Sequence, residues 1–132
     1  MKSFQTGMDV LGLAICGKVP EWAALPLRYI SLHTAAPVGD QTDNELAFEG
    51  YARIRTLCNA WSQTETGVTN ADLLLGPVCF EDCDELVTHV AIGLSHVGPG
   101  QILYSGRLRS PVRIAFNRRV AFEAGKLVFI ET

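Results

Sequence analysis

The chain has 132 residues, a formal net charge of −3, 48% hydrophobic residues and only 19% charged ones. That length fits one core rather than several, and the mean hydropathy of +0.18 excludes intrinsic disorder, which needs low hydrophobicity and high charge. The longest apolar runs fall far short of the ~20 residues of a membrane helix, and no signal-peptide pattern is present. A soluble, non-secreted domain is expected. Because a typical chain is ~25% charged, the shortage of charge predicts apolar surface shared with partner subunits.

In chain order, Thr6 followed by Asp9 reads as a helix cap, with a helix over 9–16 stopped by Gly17 and Pro20. Residues 19–25 form a connector, so 1–26 is an N-terminal arm and helix. From Leu27 the pattern turns to strands. Leu27–His33 is rich in β-formers, and 35–50 is a long polar loop of the kind that is functional or interface-forming. Residues 51–57 alternate as a half-buried strand. Gly67 and Asn70 mark a turn region. Further strands are predicted over 73–80, 86–94, 101–108, 110–116, 120–122 and 126–130, with turns at 97–100 and 123–125. No crossover helix follows residue 25. The expected fold is mainly β: an antiparallel, jelly-roll-like β-sandwich of seven or eight short strands over 27–132, preceded by one short helix.

Charge is divided along the chain. Residues 1–100 carry 5 Lys/Arg against 12 Asp/Glu, and residues 101–132 carry 6 against 2. The arginines Arg107, Arg109, Arg113, Arg118 and Arg119 could meet phosphates, but no aromatics interleave them as stacking platforms. A solvated strand face, or a patch that meets acidic surface on a neighbouring subunit, is the better reading, and the acidic run 81–85 reads as a solvated turn. No nucleic acid is expected as a partner, and no membrane.

Chemistry has little foothold. Cys16, Cys58, Cys79 and Cys83 contain one close pair, and His33, His89 and His96 supply no second tight turn, so no metal is expected. Reduced thiols are expected, with Cys16 and Cys58 buried. No nucleophile elbow, zinc motif or phosphate-cradling loop occurs. No enzyme activity and no cofactor are expected. Trp22 and Trp61 could form a carbohydrate platform but read more naturally as core or interface anchors.

One constellation stands out. Leu32-His33-Thr34-Ala35-Ala36-Pro37 is followed by a polar loop, then by Asn44-Glu45 and Gly50-Tyr51-Ala52-Arg53. In physical terms Pro37 ends a strand, because it cannot donate to the ladder. Asn44 and Glu45 could tie the loop to backbone amides. Tyr51 can bury its ring while its hydroxyl finds a partner, and Arg53 could pair with Glu45 or Glu49. Further along stand Thr69-Asn70-Ala71, Val78-Cys79-Phe80, Val87-Thr88-His89-Val90-Ala91-Ile92, the stretch from Gly100 to Gly106 and that from Phe122 to Leu127.

This series resembles a family of small tailed-bacteriophage virion proteins, labelled tail-fibre or minor structural proteins, that show "LHTADPG", "NE" and "GYAR" or "SYAR" in that order. Ala36 departs from the family's Asp, and 81–85 stands where the family has a Trp-containing turn. The resemblance implies an all-β virion component, assembled in the host bacterial cytoplasm, with no catalytic residues to transfer. Two placements follow as expectations. The first is a capsid decoration or cement protein binding the major capsid protein and copies of itself, with 1–8 and 35–50 as reaching contacts. The second is a tail, baseplate or tail-fibre-associated component. The candidate interface residues are His33, Thr34, Pro37, Asn44, Glu45, Tyr51, Arg53, Arg107, Arg109 and Arg113.

Overall fold

The computed structural model describes residues 1–130, and the last two residues lie outside that range. Helix α1 spans Phe4–Cys16. The strands are β1 Leu27–His33, β2 Ile54–Leu57, β3 Trp61–Gln63, β4 Val68–Asn70, β5 Leu74–Val78, β6 Asp84–Gly93, β7 Ile102–Ala115, β8 Arg119–Phe122 and β9 Val128–Phe129. All pairings are antiparallel, in a four-stranded sheet β2-β1-β6-β7, a three-stranded sheet β3-β4-β9 and a pair β5-β8. One apolar cluster draws on the large sheet and the β5-β8 pair, with Ile30 and Leu32 from β1, Val87 and Val90 from β6, Ile114 from β7 and Val120 and Phe122 from β8, and half-buried Trp61 and Phe129 of the three-stranded sheet pack against it. The mainly β, antiparallel expectation holds.

Differences from expectation have local causes. The cap of α1 is Ser3, whose hydroxyl accepts from the Thr6 amide at 3.1 Å. Thr6 lies inside the first turn, buried, and gives its own hydroxyl proton to the Ile102 carbonyl at 3.1 Å. The helix ends as expected at Gly17, whose φ of 69° costs a side-chain-free residue little. The strands expected over 101–108 and 110–116 are one long strand, β7. Between Val87↔Val112 and His89↔Arg107 it carries Leu108, Arg109, Ser110 and Pro111 opposite Thr88 alone. That bulge absorbs Pro111 on an edge strand, where a missing donor is tolerated. The region expected as a turn around 67–70 holds β4, which pairs with β3. Both strands are three residues long, too short to show periodicity.

Two edges of the large sheet are covered by chain from outside the strands. Residues 1–3 run antiparallel to β7, with Ser3 N donating to Leu103 O at 3.2 Å and Ser105 N to Met1 O at 2.8 Å. Beyond Ile30 strand β1 loses its β2 partner, and residues 44–46 replace it. Thr34 N donates to Asn44 O at 3.0 Å, and Leu46 N to Leu32 O at 3.0 Å. Covering edges in this way satisfies backbone groups that would otherwise template association.

Candidate functional site

The long loop folds back on β1, and a buried ionic fork holds it there. Arg53, just before β2, donates from Nε to Glu45 Oε2 at 2.8 Å and from Nη2 to Glu45 Oε1 at 2.9 Å. Its Nη1 reaches Ser95 O at 2.9 Å and its Nη2 also reaches Gly98 O at 2.7 Å, so one guanidinium joins the loop to the β6–β7 turn. The two side chains keep 3% and 11% of their exposure, and bidentate geometry suits such a desolvated pair. The Tyr51 hydroxyl donates to Glu45 Oε2 at 2.6 Å and accepts from Leu32 N at 3.1 Å, the amide that β2 leaves unpaired. Burial and the bond to Glu45 raise the pKa of the Tyr51 hydroxyl. The same carboxylate raises that of Arg53, so both keep their protons throughout the ordinary pH range.

A second set lies on the outer face of β1. His33 Nδ1 is 2.7 Å from Asp43 O, and its Nε2 is 2.8 Å from Ser31 Oγ. A carbonyl only accepts, so Nδ1 carries the proton and Nε2 accepts from the serine, which is the neutral ring. Burial depresses the His33 pKa because it disfavours the charged form. Gln41, fully buried, donates to Tyr29 O at 3.1 Å and accepts from Ser95 N at 3.2 Å. It fits only because Gly93 faces it: a Cβ there would stand 2.2 Å from Gln41 Cδ. Among the described residues no buried side-chain nitrogen or oxygen lacks a partner.

His33, Thr34, Asn44, Glu45, Tyr51 and Arg53 of the sequence-predicted set therefore meet in one structure, a clasp. Arg53 takes Glu45, not Glu49. Asn44, at φ 55°, holds the Ala36 carbonyl at 3.1 Å, and Glu45 binds side chains rather than backbone amides. Thr34 is exposed and its carbonyl accepts from Thr88 Oγ1 at 2.9 Å, while Pro37 is half-buried. His33 and Arg53, expected as contact residues, are buried within the protomer, so the surface they were expected to offer is absent. The clasp pins the 43–46 part of the 35–50 loop to β1, while Ala35, Ala36, Val38 and Gly39 stay exposed. Gln41 was not anticipated. Its only signal is the pair Gly93 and Gly100, which read as strand and turn glycines. Asn70 is a comparable hub, donating to Asp72 O, Phe122 O and Glu123 O at 2.9–3.3 Å.

The basic strand does lie outward: Arg107, Arg109 and Arg113 are exposed on β7. Arg113, however, pairs with Asp84 of the acidic run in the adjacent strand. The two charged stretches thus sit side by side in one hairpin, not on opposed faces. The cysteines also depart from expectation. Cys79 and Cys83 form a disulfide with Cα atoms 6.5 Å apart, and both are buried, while Cys16 and Cys58 are exposed. A close pair within one turn brings its sulfurs together whatever the distant cysteines do.

Trp22 and Trp61 line a cavity of about 580 Å³ between α1, the large sheet and the 61–68 hairpin, with Val10, Leu103 and Phe129. Their indole N–H groups are taken internally, by Asp9 at 2.8 Å and Thr56 at 3.0 Å. The Arg28 guanidinium lies 5.9 Å from the Trp22 ring and donates to the Leu25, Leu27 and Trp22 carbonyls. These polar groups are satisfied by the protein itself, so the rings act as anchors between layers.

The family model described as podophage GP4 fiber I protein gp80 matches residues 15–130. The match begins at the end of α1 and takes in all nine strands. No curated protein sequence matches the chain.

Proposed function

The chain belongs to the podophage fiber I protein family, and from that premise we propose that it is a non-enzymatic structural component of the phage tail-fibre apparatus. The observation that carries this reading is the extent of the match, from residue 15 to residue 130, which includes the clasp and the core together. It favours the fibre-associated placement over capsid decoration, because the family's description names a fiber. The chemistry of the clasp agrees. Glu45, Tyr51, Arg53 and His33 spend their hydrogen-bonding capacity joining one loop to strand β1 and the β6–β7 turn, an arrangement that holds shape instead of positioning a substrate.

Copies of the chain and other tail components are the proposed partners, with the virion as its location. Arg107 and Arg109 remain as proposed contact residues, since both are exposed on the edge strand. Immunogold labelling of intact phage tests the placement: gold at the tail is expected, and gold spread over the head shell would overturn it. Chains carrying Arg107→Glu and Arg109→Glu should fold normally and be depleted from purified virions. Undiminished incorporation would remove these arginines from the interface.

A further inference from the structure

The disulfide stands where three connections meet. Cys79 follows the last residue of β5 and Cys83 precedes the first of β6, so the bond closes the whole β5–β6 connection into a ring. Backbone bonds join that ring to the β7–β8 turn: Asn117 N donates to Cys79 O at 2.7 Å, and Cys79 N to Arg118 O at 3.4 Å. On its other side Glu81 Oε1 accepts from Glu49 N at 2.9 Å, at the far end of the 35–50 loop. Cys79 is fully buried and Cys83 is 9% exposed, both within the apolar cluster. Between them Phe80, Glu81 and Asp82 are exposed.

Two thiols do not fit the place of one disulfide. Bonded sulfurs lie about 2 Å apart, unbonded ones need about 3.5–4 Å, and a close-packed interior has no slack for the difference. The flanking strands are held by their partners, Val78 by Arg119 and Asp84 by Ala115. The part that can yield is the exposed stretch between the cysteines, with the Glu81–Glu49 bond as its outward tie. Breaking the disulfide therefore loosens this connection and leaves the strands in place.

We propose that Cys79 and Cys83 are a redox latch on the β5–β6 connection, open as a dithiol in a reducing medium and closed by oxidation. The bacterial cytoplasm keeps thiols reduced and the medium outside does not. A component carried from one to the other meets both states; that passage rests on the virion reading, whereas the chemistry of the latch does not. Closure uses a low-molecular-weight disulfide, such as glutathione disulfide, as oxidant. The thiolate of Cys83, the less buried of the two, attacks one of its sulfurs and expels one glutathione thiolate. The Cys79 thiolate then attacks the Cys83 sulfur of the mixed disulfide and expels the second. One S–S bond breaks and one forms, the two cysteine protons pass to the two glutathiones, and two electrons pass from the pair to the oxidant.

The test uses the full chain carrying Cys16→Ser and Cys58→Ser, which removes the two exposed thiols. It is produced in bacterial cytoplasm and trapped with N-ethylmaleimide in acid-quenched lysate. Mass spectrometry should show both remaining cysteines alkylated, and neither alkylated once the purified dithiol has been treated with glutathione disulfide. Endoproteinase Glu-C should then cut the dithiol form after Glu81 at least about tenfold faster than the closed form. Cleavage after Glu65, exposed in the β3–β4 hairpin, should be the same in both. A pair already oxidised in the lysate, a dithiol that glutathione disulfide leaves unchanged, or equal cleavage after Glu81 in the two forms would each overturn the proposal. None of these results depends on where the chain sits in the particle, so they stand or fall apart from the fibre reading.

Discussion

The clasp and the N-terminal helix solve opposite problems with opposite residues. At the clasp, charged and polar side chains are drawn inside and matched bond for bond, so a loop of polar composition becomes as fixed as a strand. At α1 the polar residues Thr6 and Asp9 are likewise used for attachment, but there Phe4, Met8, Leu11 and Ile15 are left outside. In this chain the polar clasp adds to the apolar core in holding the loop to the sheet, whereas α1 is tied down by polar bonds alone and leaves much of its apolar surface exposed. The usual reading of a small apolar protein, oily inside and polar outside, would assign both regions wrongly.

The sharpest way to break the contrast is Arg53→Ala, which leaves Glu45 buried without its partner. A loss of about 3–5 kcal/mol is expected, measured by urea unfolding. A loss under 1 kcal/mol would mean that the fork is solvated and the clasp loose. Gly93→Ala should cost about 1–3 kcal/mol by forcing Gln41 aside. Adding Gln41→Ala should return part of that loss, since the crowding atom is then gone, and a strictly additive double mutant would show that the two residues do not meet. Tyr51→Phe strands the Leu32 amide and should cost about 1–2 kcal/mol.

The clasp also predicts a pH dependence. Burial lowers the His33 pKa from 6.5, so the unfolded chain binds the proton more readily than the folded one. Stability is then complete above pH 6.5 and falls as pH drops below that value toward the depressed folded pKa. The slope is at most about 1.4 kcal/mol per pH unit for one proton. His33→Gln should flatten this slope between about pH 6.5 and 5, above the range where ordinary carboxylates titrate; an unchanged slope would place its origin elsewhere. The smallest effect belongs to the helix. Leu11→Glu, at a position 52% exposed, should alter stability by less than about 0.5 kcal/mol, and a large loss would show that Leu11 is packed within the protomer.

Much of the fold was legible because its signals are local. Alternation marked Leu27–His33 and the long β6 strand, and Gly17 marked the end of the helix. The Glu45–Arg53 pair was legible as one of two possibilities because both residues sit in motifs that invite contact. What sequence could not supply was depth. His33 and Arg53 read as interface residues, because their burial depends on partners from two loops distant in sequence, Asp43 and Glu45 in one and Ser95 and Gly98 in the other. Gln41 carried no signal of its own, since its importance is written in Gly93 and Gly100, more than 50 residues away. Strands β3 and β4 were hidden by their length, and β7 was divided in two by a bulge whose Pro111 reads as a break.

The most direct test of the fibre assignment is the number of copies per virion, measured by quantitative mass spectrometry against the major head protein of the same particles. A fibre component predicts a handful of copies, far fewer than the head subunit. A ratio near parity with the head subunit, hundreds of copies per particle, would contradict the account and restore the capsid-decoration reading.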